Sequence, residues 1–374
     1  MRHAALWLIP LSVLLGMLLI EGMLRLFPSL LPADAQQNLL WSTQTKVTSI
    51  GDPYLGFVYP PFFHAEITSL DYHFTIESDE HGFRNSKPWP DKAEVVIVGD
   101  SMAYGYGVEH RDAWPTLVDE ALPGIHVVTL GMPGAVPQQY TRYFEKFGAA
   151  LQPKVLIYTV FAGNDIVEAE TFDRWLAAGS PDNYAVWRFF EGMVPSMRSS
   201  ILESSYLMLV LSSVRKSLRS EFPSTDVSLP NGGRLRLAPN LYSDALRRDH
   251  PGDPGFDSVV RAVAEARDRA KALGCQIVVM FVPTKENVYP SPDGAPFPSL
   301  IGPLKEAVAG QPGVEVIDLT DSLRSLAATG AQLYFKVDGH PNVAGNRAIA
   351  AVVTRYLREN AQALGIQDWN RPIP

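Results

Sequence analysis

The sequence predicts a three-layer α/β/α domain with a central parallel sheet, preceded by an apolar N-terminal segment. Three observations carry this. From Glu94 onward, short apolar runs alternate with amphipathic helical patterns, the rhythm of parallel strands joined by crossover helices. Two of the runs, Val95-Val96-Ile97-Val98 and Val155 to Phe161, are almost wholly apolar, as strands covered on both faces must be. Both end in polar, glycine-bearing turns, Gly99-Asp100-Ser101 and Gly163-Asn164-Asp165, at the carboxyl edge where open α/β sheets keep their chemistry.

Taken in order, the chain opens with 17 uncharged residues, Ala4 to Ile20, preceded by Arg2 and followed by Glu21 and Arg25. With Gly22 to Leu24 the run reaches membrane-spanning length, so residues 1–28 are expected to be a transmembrane helix. The expected placement is a single pass of the inner (cytoplasmic) membrane, with the main domain periplasmic or otherwise extracytoplasmic. Residues 29–50 are polar and read as an irregular stalk. Residues 54–84 read as a β-hairpin extension in which Phe57-Val58-Tyr59 and His73-Phe74-Thr75-Ile76 are the strands. The stalk and extension together fill 29–93.

The main α/β domain, the one that carries the candidate site, is expected over 94–374. Its strands are predicted at 94–98, 125–130, 154–160, 275–282 and 314–318. Helices are predicted at about 112–122, 136–150, 256–273, 300–309 and 342–362. Between Ile166 and Pro254 the alternation fails, and a helical insertion is expected over about 166–254. Its Trp175, Trp187, Phe189 and Phe190 read chiefly as the core of that insertion and otherwise as a stacking surface for sugar.

The composition bounds the function. A chain of 374 residues that is 46% hydrophobic can bury a large core. Net charge is −8 with the basic residues scattered, which excludes a nucleic-acid footprint. The single cysteine, Cys275, rules out an intrachain disulfide or a Cys-based metal site. No cofactor or metal is implied.

A serine hydroxyl needs a base within hydrogen-bond reach and a group that orients the base. Of eight histidines, His340 stands alone in a polar loop ahead of a helix, in Asp338-Gly339-His340-Pro341-Asn342. Asp338 can accept from its Nδ1 and leave Nε2 to face Ser101. Three donors are candidates for an oxyanion: the Ser101 amide, the Gly134 amide in Gly131-Met132-Pro133-Gly134, and the Asn164 side chain. A chance Gly-Asp-Ser occurs in a chain this long about one time in ten, so it is the company of these residues that points to acyl transfer. Asp100, Lys285 and Arg84 are further candidates for substrate contact.

In this order and company the residues resemble the SGNH, or GDSL, hydrolase superfamily. The likeness covers roughly 94–165 and 275–360. It implies a flavodoxin-like sheet with Ser101 as nucleophile, Gly134 and Asn164 as oxyanion donors, His340 as base and Asp338 as its partner. One position departs from the family: many members place Asp three residues before His, where this chain has Val337. An Asp two residues before resembles instead the polysaccharide O-acetylation proteins. The resemblance implies a serine esterase or O-acyltransferase working on cell-envelope carbohydrate, with a membrane-bound acyl donor protein as partner in the transferase case. A lipase- or thioesterase-type acylhydrolase and a non-catalytic carbohydrate-binding component are the alternatives.

Overall fold

The computed structural model describes residues 2–43, 48–85, 88–161, 163–191, 205–219, 224–290, 297–300 and 302–366. At its centre are five strands: β5 (Val95–Gly99), β6 (Val127–Gly131), β7 (Val155–Val160), β10 (Gln276–Phe281) and β11 (Val314–Asp318). They pair in the order β11-β10-β7-β5-β6, and every pairing is parallel. The chain places its second strand on one side of β5 and its third on the other. The loops leaving β5 and β7 therefore part at the switch point of the sheet.

The apolar strands divide their side chains between two cores with period two. Val96, Val98, Leu156 and Tyr158 pack on one face with Tyr140, Val259 and Val263, while Val95, Ile97, Val155 and Ile157 pack on the other with Trp114, Val118, Ile349 and Val353. The first face is covered by the helices Pro137–Tyr143 and Pro254–Ala272, the second by Trp114–Ala121 and Val343–Glu359. Cys275 is buried and free, and burial pushes its thiol up to about 12.

The five strands lie where the alternation places them. The expected helix over 136–150 stops at Tyr143 and continues as a π turn, Phe144–Gly148, and a 3-10 turn, Ala149–Leu151. A helix over Thr320–Ala328 has no counterpart in the sequence reading.

The N-terminal extension differs from its expected form. The segment read as an irregular stalk contains a helix, Ala33–Thr43, rich in good helix formers. The expected hairpin is two hairpins. Strand β1 (Ile50–Asp52) pairs with β2 (Gly56–Val58), and β3 (His64–Thr68) pairs with β4 (His73–Glu77). In β3 and β4 burial alternates strictly, with Ala65, Ile67, Phe74 and Ile76 inside.

The insertion is not wholly helical. After the helices Asp165–Ala177, Tyr184–Glu191 and Tyr206–Arg219 comes an antiparallel hairpin of β8 (Thr225–Ser228) and β9 (Arg234–Leu237). Arg234-Leu235-Arg236-Leu237 alternates with period two, and both leucines are fully buried. Trp175 is also fully buried and packs on Phe172 and Tyr184. The side chains of Phe189 and Phe190, and residues 192–204 and 220–223, lie outside the described residues.

Among the described residues no helix is long and apolar enough to cross a membrane, the side chains of residues 2–8 and 10 falling outside them. The N-terminal helix Arg2–Leu26 leaves Ile9, Leu11, Leu18 and Leu19 each at least 60% exposed. Its Glu21 carboxylate accepts from the Tyr206 and Leu207 amides and the Ser205 hydroxyl, so it caps the start of Tyr206–Arg219.

Candidate active site

Ser101 sits where β5 gives way to a single helical turn, Ser101–Tyr104. Gly99 allows the strand to end there, because a Cβ would fall 2.7 Å from Ala103 Cβ and 2.9 Å from Thr159 Cβ. Asp100 caps the turn, its Oδ1 accepting from the Met102 amide at 2.8 Å. As the first residue of the turn, Ser101 keeps its amide free of the helical ladder.

The Ser101 hydroxyl is 2.8 Å from His340 Nε2, and His340 Nδ1 is 2.6 Å from Asp338 Oδ1. Asp338 Oδ1 also accepts from the His340 backbone amide at 2.8 Å. One oxygen thus serves both groups, which is how an aspartate only two residues upstream can reach the ring. Burial lifts the Asp338 carboxyl, but the His340 imidazole and the hydrogen bonds around it win and hold it at about 2. Burial lowers the basicity of His340, yet the Asp338 carboxylate beside it raises the imidazole above its ordinary value.

Gly134 occupies the third position of the turn Met132-Pro133-Gly134-Ala135, closed by Ala135 N–H to Met132 O at 2.9 Å. Proline second and a glycine at φ +75° third make this a type II turn, whose central amide takes no part in the closing bond. Neither the Ser101 nor the Gly134 amide has a hydrogen-bond acceptor among the described residues. Asn164 stands at the N-cap position of the helix Asp165–Ala177 without a side-chain capping bond, and its Nδ2 donates to Asp100 Oδ2 at 3.3 Å, leaving the second hydrogen of that NH₂ for another acceptor. Ala162, one residue of this turn, lies outside the described residues.

The three other expected contacts are placed differently. Asp100 is fully buried and holds Met102 and Asn164, which makes it a support for the donors. Burial raises its carboxyl, and it raises that of the neighbouring Asp165 well above the ordinary range, burial again being the larger cause. Asp165 in turn accepts from Tyr140 Oη at 2.7 Å and from the Phe161 amide at 2.9 Å. Arg84 is 2% exposed and donates to the carbonyls of Thr75, Gly105 and Val108, so it joins β4 to the loop after Ser101. Lys285 is 1% exposed, and its Nζ donates to the carbonyls of Val337 at 2.8 Å and Asp338 at 3.0 Å. In both, the long cation expected to face substrate is buried and serves the backbone of a loop beside the site.

Two supports were missed by the sequence reading. Asp71 Oδ2 accepts from the Val337 and Asp338 amides at 2.6 and 2.8 Å, and Tyr72 Oη donates to Asp338 Oδ2 at 3.0 Å. Both lie at the tip of the β3–β4 hairpin, which Gln37 of the preceding helix holds through Ser69 Oγ and the Leu70 amide. No local pattern marks them, since their partners are 266 residues away. Among the described residues no group of three His, Cys, Asp or Glu side chains is placed to hold a metal ion.

A hydroxyl bonded to an imidazole whose other nitrogen faces a carboxylate, beside two free amides and a side-chain NH₂, can take up an acyl group and stabilise a developing oxyanion. No curated protein matches the chain. Among solved structures it is similar to a member of the lipolytic protein G-D-S-L family from Veillonella parvula, at 14% identity over 70% of this chain and 97% of that one, TM-score 0.36. It is likewise similar to an acetylxylan esterase from Geobacillus stearothermophilus, at 13% identity over 76% and 99%, TM-score 0.38. The model of the GDSL-like lipase/acylhydrolase family matches residues 97–348, two thirds of the chain, and so spans Ser101, Gly134, Asn164, Asp338 and His340. The chain belongs to the GDSL-like lipase/acylhydrolase family.

Proposed function

We propose that the protein is a serine esterase or O-acyltransferase that takes an acyl group, acetyl in the first instance, through an acyl-Ser101 intermediate on cell-envelope carbohydrate. The observation that carries the reading is the continuous bond path from Ser101 Oγ through His340 to Asp338. In the first step Ser101 Oγ attacks the ester carbonyl carbon and its proton passes to His340 Nε2. The amides of Ser101 and Gly134 and the Asn164 NH₂ receive the oxyanion. Collapse breaks the bond to the leaving alkoxide, which takes the proton from His340, and the acyl group stays on Ser101. Water or a sugar hydroxyl then repeats the sequence in reverse. Which of the two enters decides between hydrolysis and transfer.

The carbohydrate part of the reading rests on the Asp338-to-His340 spacing, which resembles that of polysaccharide O-acetylation proteins. Its envelope setting rests on the apolar N-terminal segment, whose exposed leucines and isoleucines suit a lipid environment. We place the chain at the membrane by that segment, with the site on the extracytoplasmic side.

The test is intact mass of the full chain in detergent after exposure to a fluorophosphonate, beside Ser101→Ala. One adduct on the parent and none on the variant is the expected result. A folded parent that takes no adduct would overturn the acyl-serine reading. With an acetyl donor and an oligosaccharide both present, acetylated sugar marks transfer and free acetate marks hydrolysis.

A further inference from the structure

We propose that Arg188, carried by the insertion helix Tyr184–Glu191, is a positioning residue for the oxyanion site: it clamps the Gly134 turn so that the Gly134 amide faces the reacting carbonyl. The proposal rests on the acyl-serine reading and extends it to a part of the chain that the reading does not use.

Arg188 Nη1 donates to the Gly134 carbonyl at 2.5 Å. A Cβ at 134 would run into Arg188 Nη2, so a side chain there would displace the guanidinium from the turn. The Gly134 carbonyl and amide flank one α-carbon at φ +75°, so fixing the carbonyl limits rotation of the peptide that carries the donor. The guanidinium is itself held. Its centre lies 5.3 Å from the Tyr184 ring and 5.9 Å from the Phe57 ring, and both rings are buried. Nη1 also stands 3.5 Å from Glu168 Oε2.

Glu168 and the rings place the clamp and Asn164 on one body. Glu168 is one turn along the helix Asp165–Ala177, whose N-cap position Asn164 occupies. Tyr184 packs on Phe172 and Trp175 of the same helix, with ring centroids 4.8 and 5.6 Å apart. The Gly134 and Asn164 donors come from different strands, yet Arg188 ties the turn of the first to the helix of the second. Burial pushes the Glu168 carboxyl up to about 7 against the pull of Arg188, with Asp100 adding to the rise.

The experiment compares the full chain in detergent with Arg188→Met and Arg188→Lys, using p-nitrophenyl acetate turnover and the rate of fluorophosphonate labelling. For Arg188→Met, kcat and the labelling rate are expected to fall together by about tenfold to a hundredfold, the scale of a misplacement near 1 Å, while KM stays within about twofold. Arg188→Lys recovers part of the loss, and free guanidinium ion at millimolar concentration restores part of it to Arg188→Met. Rates equal to the parent's in a folded Arg188→Met overturn the clamp. So does a loss that neither lysine nor guanidinium relieves, since that is the behaviour of a purely structural arginine. If Arg188→Met does not fold, Arg188→Lys and Glu168→Gln decide, both being expected to lower kcat at unchanged KM. A parent that takes no fluorophosphonate at all overturns the acyl-serine reading beneath the clamp, a result distinct from equal labelling of parent and variant.

Discussion

The donor half and the base half of the site are built by different means. Ser101, Gly134 and Asn164 stand in loops that leave three neighbouring strands of one parallel sheet, β5, β6 and β7, so backbone pairing in the core brings them together. Asp338 and His340 stand in a loop after a helix that is not followed by a strand of that sheet. Their loop is instead tied down from outside, by Asp71 and Tyr72 at a hairpin tip and by Lys285 after β10. Donors therefore inherit their geometry from the sheet, whereas the base depends on a few polar side chains together with the local Phe335 N–H bond to the His340 carbonyl at 3.1 Å. A small change near the base should accordingly act on rate and pH profile long before it acts on the sheet.

The largest break in this contrast is Asp338→Asn. The carboxamide can keep a hydrogen bond to His340 Nδ1, but as a donor it selects the tautomer that has no lone pair for the Ser101 proton. The expected loss in kcat is about 10⁴, as in other serine triads. The pH profile gives a second readout. His340 acts as base only when neutral, so kcat/KM rises with pH through its pKa, which in the parent lies above the ordinary histidine value because Asp338 stabilises the charged ring. Removing that charge moves the rising limb to lower pH. A limb that stays in place would show that another group sets the basicity of His340.

The sequence made the donor half legible for the same reason that it is robust. A parallel strand ending in glycine and a polar residue is a local pattern, and the topology of a parallel sheet gathers such ends without further information. His340 and Asp338 were legible as a pair because their contact spans two residues. What holds that pair was not: Asp71 and Tyr72 are ordinary turn residues in sequence, and a lysine after a strand reads as well for a surface as for a brace. The two-hairpin extension was partly readable, since His64-Ala65-Glu66-Ile67-Thr68 alternates with period two. Its pairing was not, because short β-prone runs carry no label for their partner.

Lys285→Met is expected to come next in size. The methionine fills much of the volume but leaves the Val337 and Asp338 carbonyls without their shared donor, a loss of about 1.5–3 kcal/mol for a charged hydrogen-bonding group. That cost should be local. Amide hydrogen exchange is expected to speed up over residues 334–341 while β5, β6 and β7 keep their protection. Fluorophosphonate labelling slows as the base samples more positions. Equal loss of protection in the sheet would mean that Lys285 supports the whole domain, and that the two halves are less separate than their contacts indicate.

Tyr72→Phe is the finest probe, because it removes the hydrogen bond to Asp338 and leaves the ring between Phe74 and Phe335. The Tyr72 hydroxyl stabilises the charged Asp338 carboxylate, so without it the carboxylate holds more of its charge for His340. The imidazolium gains, and the rising limb of kcat/KM is expected to move to higher pH, opposite to its movement in Asp338→Asn. The shift should stay below about one pH unit, the scale of one hydrogen bond to a charged group, and kcat at the plateau should change by less than about tenfold. A limb that moves to lower pH, as it does for Asp338→Asn, would mean that Tyr72 holds the carboxylate in place more than it draws charge from it. The direction of this one shift thus separates positioning from polarisation in the loop that carries the base.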